Sequence, residues 1–267
     1  MVYDYAYVQY GAAIVQSADS AASDSGRSEP DNVLISTNLE LVVAAGCASL
    51  VRRVAVDVFC LTNPFPGYRA VIQRMRAVAD TWMGVRALEL AKHPGQTTLD
   101  ERDTSNVSYD DDVCEICESL TAMLPSVREL RLGGFYRDYI SREASGKLAT
   151  RYAEQLQVLC SSHPIAVPHD RPFTRIRHVE ICGSSVDGYR IPRINPSSIE
   201  YIKLDGFPAN HLWTAFSTDS SSQVIEFPRL RTLRAIYSGA RDNSSDESRT
   251  DGCKMVLRFP ALKNLSV

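Results

Sequence analysis

The sequence lacks a long apolar run, a charge excess of one sign, an even set of cysteines and a phosphate-holding glycine loop. Each absence removes a class of protein. The best apolar stretch, Leu39 to Leu50, is too short for a bilayer-spanning helix and contains Gly46, so no membrane association is expected. A net charge of -3 over 267 residues offers no strong field for a polyanion, which argues against nucleic acid as a partner. The basic clusters Arg52-Arg53 and Arg74-Met75-Arg76 are short and read as solvated faces. The seven cysteines run from Cys47 to Cys253, and the opening Met1-Val2-Tyr3-Asp4-Tyr5 is not a basic-plus-apolar leader. A reducing cytoplasmic or nuclear compartment therefore fits better than secretion, and the sequons at Asn106, Asn243 and Asn264 carry little weight.

Chemical motifs are equally sparse. There is no G-x-S-x-G elbow, and Gly133-Gly134 lacks the Lys-Ser/Thr partner of a P-loop. Cys114-x-x-Cys117 has redox or half-zinc spacing, but no second pair stands at comparable spacing, and Cys117 falls on an apolar helical stripe where a thiol packs as a small hydrophobe. The acidic run over 97–112 lacks the Asp-x-Asp-x-Asp-Gly spacing and closing Glu of a calcium loop. Of the five histidines, four lie in or beside turns. His178 instead faces outward from a predicted strand, next to Glu180 and near Tyr201 if successive strands stack. The expectation is no catalytic residue, no metal ligand and no cofactor, with an enzyme pocket near His178 as the weaker alternative.

What is present is a repeat. An aliphatic residue, two variable ones, an aliphatic, one variable and an aliphatic recur as Val51-Val54-Val56, Val85-Leu88-Leu90 and Val127-Leu130-Leu132. The unit returns as Ile176-Val179-Ile181, Ile199-Ile202-Leu204, Leu230-Leu233-Ala235 and Leu262-Leu265-Val267, at spacings of 34, 42, 49, 23, 31 and 32 residues. Its last positions alternate in and out as a short strand does. Three copies share a lead-in of a bulky apolar residue, proline and a spacer: Leu124-Pro125-Ser126, Phe227-Pro228-Arg229 and Phe259-Pro260-Ala261. Proline there forces an extended approach to the strand.

Between the units, 66–83, 111–124 and 144–160 carry helical stripes, and Thr37-x-x-Glu40 reads as a capping box opening a helix through Leu50. Val2 to Tyr10 reads as an extra N-terminal strand. Strand and helix alternation with long connections implies parallel strands. A doubly wound sheet would need strands apolar on both faces. Here the variable positions are polar: Arg53, Asp57, Glu89, Glu129, Arg131, His178, Glu180, Tyr201, Lys203, Asp205 and Arg234. The reading is an α/β fold, a degenerate leucine-rich-repeat-like solenoid with a curved parallel sheet and helices or loops on its convex side. The chain, 1–267, is read as one domain with 17–32, 97–112 and 240–252 as mobile loops. With 44% hydrophobic and 23% charged residues it has material for a substantial core.

The run Asn38-Leu39-Glu40-Leu41-Val42-Val43-Ala44-Ala45-Gly46-Cys47 before the strand at Val51 resembles the repeat region of fungal F-box/leucine-rich-repeat-like proteins. The run from Phe216-Ser217-Thr218-Asp219 to Glu226-Phe227-Pro228-Arg229-Leu230 is similar to it too, and the resemblance extends from about Val2 to the C-terminus. It implies an interaction protein whose repeats hold a substrate while a separate helical motif docks a ubiquitin-ligase adaptor. No candidate F-box is found in the sequence. The position that carries Asn or Cys in the common consensus holds Phe59, His93, Phe135, Ser184, Phe207 and Ser238, so no asparagine ladder is expected.

The functional expectation is a non-catalytic scaffold that binds protein through its wet strand face. The residues expected to contribute are Glu129, Arg131, His178, Glu180, Tyr201, Lys203 and Arg234. The alternative is a substrate-recognition module for a ubiquitin ligase, with the F-box missing or supplied separately.

Overall fold

Five-residue segments that alternate aliphatic and polar side chains can bury one face only, and the chain satisfies them by pairing each with the next. The computed structural model describes residues 5–11, 34–57, 73, 75–77, 79–91, 110–133, 142–162, 165, 167, 172–182, 193–206, 224–236 and 256–266. Its strands are β1 (Tyr5–Gly11), β2 (Leu34–Thr37), β3 (Arg53–Asp57), β4 (Ala87–Ala91), β5 (Glu129–Gly133) and β6 (Val158–Ser161). They continue as β7 (His178–Cys182), β8 (Tyr201–Asp205), β9 (Val224–Glu226), β10 (Thr232–Ile236), β11 (Val256–Arg258) and β12 (Asn264–Ser266).

Ten of these strands form one open sheet in the order β12-β10-β8-β7-β6-β5-β4-β3-β1-β2, and β9 and β11 form a separate parallel pair. Every pairing from β1–β3 to β10–β12 is parallel; only β1–β2 is antiparallel. The fold is therefore α/β with a mostly parallel sheet. The expected N-terminal strand is β1, and β2 beside it went unread in the sequence.

The seven predicted units all end in strands, and an eighth lies between two of them. Leu156-Leu159-Ser161 has the same spacing and forms β6, which divides the longest gap in the series. The helix expected over 144–160 is correspondingly shorter. The helices are α1 (Leu39–Ala44), α2 (Asp110–Met123) and α3 (Arg142–Arg151). Leu156 and Leu159 continue the stripe of Leu148 and Tyr152 at helical spacing, which disguised the strand.

Two other boundaries also differ from expectation. The first helix does not reach Leu50. Gly46 adopts a φ of 67°, the Cys47 amide donates back to the Val42 carbonyl at 3.0 Å, and a 3-10 turn over Ala48–Leu50 follows. A left-handed glycine with that long back-bond is a helix stop. The acidic stretch is likewise not all loop, because Asp110–Asp112 open α2. The rest of that stretch, 17–32 and 240–252 lie outside the described residues, as do the six consensus-asparagine positions.

The unit explains the core directly. The opening aliphatics Val51, Val85, Val127, Leu156, Ile176, Ile199 and Leu230 are each 0% exposed. The next row, Val54-Leu88-Leu130-Leu159-Val179-Ile202, is matched residue to residue across five strand pairs and is also fully buried. Each such side chain contributes roughly 1.5–3 kcal/mol by leaving water. Three residues ahead of the opener stand further buried groups, Trp82, Leu124, Ala153, Phe173 and Phe227, so the lead-in is a core row too. The buried residues form one continuous cluster. Cys117, Leu120 and Met123 join it from α2, Leu124 from just past its end, and Leu148, Ala149 and Tyr152 from α3 and the turn after it.

Regular register is held by the backbone. The carbonyls of Arg52, Arg86, Arg128, Gln157, Arg177, Glu200 and Arg231, one per unit, each accept two amides from the next unit, at 2.7–3.3 Å. That ladder occupies the strand entry and fixes successive strands in line.

Candidate binding face

Parallel strands in register place equivalent positions side by side, so each outward position becomes a row. One row runs Arg53-Ala87-Glu129-Val158-His178-Tyr201-Thr232-Asn264. The next runs Ala55-Glu89-Arg131-Cys160-Glu180-Lys203-Arg234-Ser266. All seven residues expected to bind a partner lie in these two rows. Glu129 and Arg131 stand on β5, His178 and Glu180 on β7, Tyr201 and Lys203 on β8, and Arg234 on β10. The unpredicted β6 joins the two halves of the face through Val158 and Cys160.

Contacts within the rows tie most of these groups together. Glu129 accepts a hydrogen bond from Arg131 Nε and lies 4.0 Å from Arg53. His178 Nε2 lies 2.9 Å from Glu180 Oε1, and Lys203 Nζ donates to Glu180 Oε2 at 3.5 Å. The His178 ring stacks on Tyr201 with centroids 4.2 Å apart and planes 6° from parallel. The neighbours inferred for His178 are thus its actual neighbours. Arg234 is exposed and makes no ion pair with a described residue.

Burial and the hydrogen bonds within this network pull against each other. Burial pushes the Glu180 carboxyl up, but the His178 hydrogen bond and the Lys203 charge outweigh it and hold it below the usual carboxylate range. The Arg131 guanidinium is raised chiefly by its hydrogen bond to Glu129. Burial pushes the Cys160 thiol up to about 11, with Arg131 opposing, and also raises Cys182, aided by Asp205. Both shifts favour the protonated thiol, the weaker nucleophile of the two forms.

A shallow pocket of about 310 Å³ opens among Glu89, Arg131, Cys160, Glu180, Cys182 and Lys203. Cys160 and Cys182 went unread as site residues: one sat on the missed strand, and the other lay past the end of its unit. A larger groove of about 1020 Å³ lies away from this face, between α2, α3 and the approach to β7. It is crossed by an Arg151–Glu118 ion pair at 3.3 Å and a Gln155 to Pro125 hydrogen bond at 2.7 Å. The Cys114/Cys117 motif sits on α2, and the Cys117 side chain is buried at 6% exposure, as a packing role requires.

One more row was legible and went unread. The residue after each opening aliphatic is Arg52, Arg86, Arg128, Gln157, Arg177, Glu200, Arg231 and Lys263, six cations among eight. These are the residues of the backbone ladder, and all six cationic side chains are exposed. Arg52 and Arg86 also donate to carbonyls of the turns before them, Ser49 and Met83, at 2.8 and 3.0 Å. Adjacent strands lie roughly 4.8 Å apart, so the row is a dense basic margin beside the mixed-charge face.

No helix among the described residues is long and apolar enough to cross a membrane. Comparison of the chain with family models, curated proteins and solved structures gives no match.

Proposed function

We propose that the chain is a non-catalytic protein-binding scaffold, and that its fold is a degenerate leucine-rich-repeat-like solenoid presenting the outward strand rows to a partner. The order of the parallel strands, which advances in one direction from β1 through β3 to β12 with only the antiparallel edge strand β2 outside it, supports the solenoid, because a doubly wound sheet reverses its order at a central switch point. The observation that carries the function is the pair of outward rows. From Arg53 to Lys203 they place acids, bases, an imidazole and a phenol side by side on neighbouring strands. Fixed, mixed-sign charges of this kind select a partner by complementarity more than by raw affinity.

The basic margin narrows the chemistry of that partner to a surface that is acidic along one side. The test is affinity capture with the full chain, comparing it with the Arg131→Glu/Lys203→Glu variant. The variant is expected to lose specific partners while keeping its far-ultraviolet circular dichroism. A folded variant that retains every partner would place binding elsewhere.

A further inference from the structure

Three different metal-ligand types converge on the outward face from two adjacent strands. Cys160 on β6 is the register partner of Glu180 on β7, and His178 stands two residues before Glu180 on the same face. The thiol sulfur, a ring nitrogen and a carboxylate oxygen all lie within 4.8 Å of one another. Around a tetrahedral zinc ion with bonds of about 2.0–2.3 Å, ligand atoms sit roughly 3.3–3.8 Å apart. The three atoms lie close to that spacing, and the His178–Glu180 pair, now 2.9 Å apart, would have to open slightly to admit an ion. We propose that Cys160, His178 and Glu180 form a three-ligand site for a divalent transition metal of the zinc class.

The surroundings fit that assignment. Parallel strands in register fix the three Cα positions, and the stack on Tyr201 sets the plane of the imidazole. Lys203 holds Glu180 Oε2, which leaves Oε1 as the ligating oxygen. Arg131, the neighbouring cation, is turned to Glu129 instead of the thiol. A carboxylate anchored from behind and an oriented ring are the outer contacts that metal ligands require. Thiolate with imidazole and one carboxylate suits zinc or cobalt and not magnesium or calcium, which prefer oxygen ligands alone. On binding, the Cys160 S–H bond breaks, the sulfur bonds the metal, and the proton leaves to solvent. The three side chains are only half-buried, and Cys160 and Glu180 also line the shallow pocket. Three protein ligands with one open position describe an exchangeable site and not a closed structural one. The spacing rules that failed to find it look for ligands along the chain, whereas these meet across strands. The site stands whether or not the face also docks a partner.

Cobalt(II) titration of the full chain, kept reduced, tests this directly. One equivalent should bind with visible ligand-field bands and a near-ultraviolet thiolate band, and zinc should displace it. Cys160→Ser should abolish the thiolate band, and His178→Ala should weaken binding by at least about tenfold, since loss of even an outer partner costs 10–100-fold. Cys47→Ser should bind as the parent chain does. Should Cys160→Ser fail to fold, Glu180→Gln, which keeps the shape, must show the same weakening. No cobalt spectrum, or one unchanged by the site variants, overturns the proposal.

Discussion

Leu130 and Arg131 are adjacent on one strand and belong to different worlds. Leu130 is 0% exposed in a row of aliphatics that is nearly the same on every strand from β3 to β8. Arg131 stands in a row that changes from residue to residue: alanine, acid, base, thiol, acid, base, base. The inner row repeats because each strand meets the same requirement, removal of apolar surface from water. Nothing in the fold demands that the outer row repeat, so its variety is free to encode recognition.

The contrast is broken most severely from inside. Leu130→Ala should cost about 2–5 kcal/mol, because the surrounding strands are hydrogen-bonded in register and cannot collapse into the cavity. Urea unfolding followed by circular dichroism measures it. A smaller and opposite effect is expected on the helical side. The Tyr152 hydroxyl is buried and finds no hydrogen-bond partner among the described residues, so Tyr152→Phe should stabilise the protein, by about 1–3 kcal/mol at most.

Tyr152 also makes a prediction about pH. Burial raises its phenol above the ordinary value of 10.0, with Cys117 adding to the effect. The neutral form is the one the fold accepts, so stability is fully present below pH 10 and falls as pH climbs past it, where the unfolded chain loses the proton first. An alkaline melting series should show Tyr152→Phe losing less than the parent chain over that range.

Smaller still is the expected effect of breaking the outer network. Lys203→Gln removes the cation from Glu180 at a site about one-third exposed, and should change stability by no more than about 1 kcal/mol. Leu265→Ala sharpens the comparison at the sheet's end. Leu265 is in register with Leu233 in the core row, yet is 61% exposed on the edge strand β12. Its truncation should shift stability by only about 0.5 kcal/mol, against the much larger loss at Leu130. Equal losses at the two positions would show that row identity, and not burial, sets the cost.

The sequence displayed the inner row more plainly than the outer one, for a physical reason. Aliphatic periodicity records burial, and burial repeats, so units such as Val85-Leu88-Leu90 announced their strands. The strand at Val158–Ser161 escaped because Ser161 replaces the third aliphatic and Leu156 and Leu159 extend a helical stripe. The Gly46 stop was visible as a glycine but not as a left-handed one, so α1 was drawn too long. Of the face, His178, Glu180 and Tyr201 could be gathered by stacking strands in order. Cys160 could not, because its place depended on the missed strand, and with it went the three-ligand cluster. The basic margin was legible at a fixed offset from each opener; its meaning came only with the register that aligns the strands.

The central claim is that one strand divides its labour between a face that holds the fold and a face that does not. Urea midpoints of Leu130→Ala and Arg131→Gln, measured side by side, test it most directly. The account predicts a loss of about 2–5 kcal/mol for the first and no more than about 1 kcal/mol for the second. Comparable losses from the two neighbours would contradict it, because the outer row would then be part of what holds the protein together.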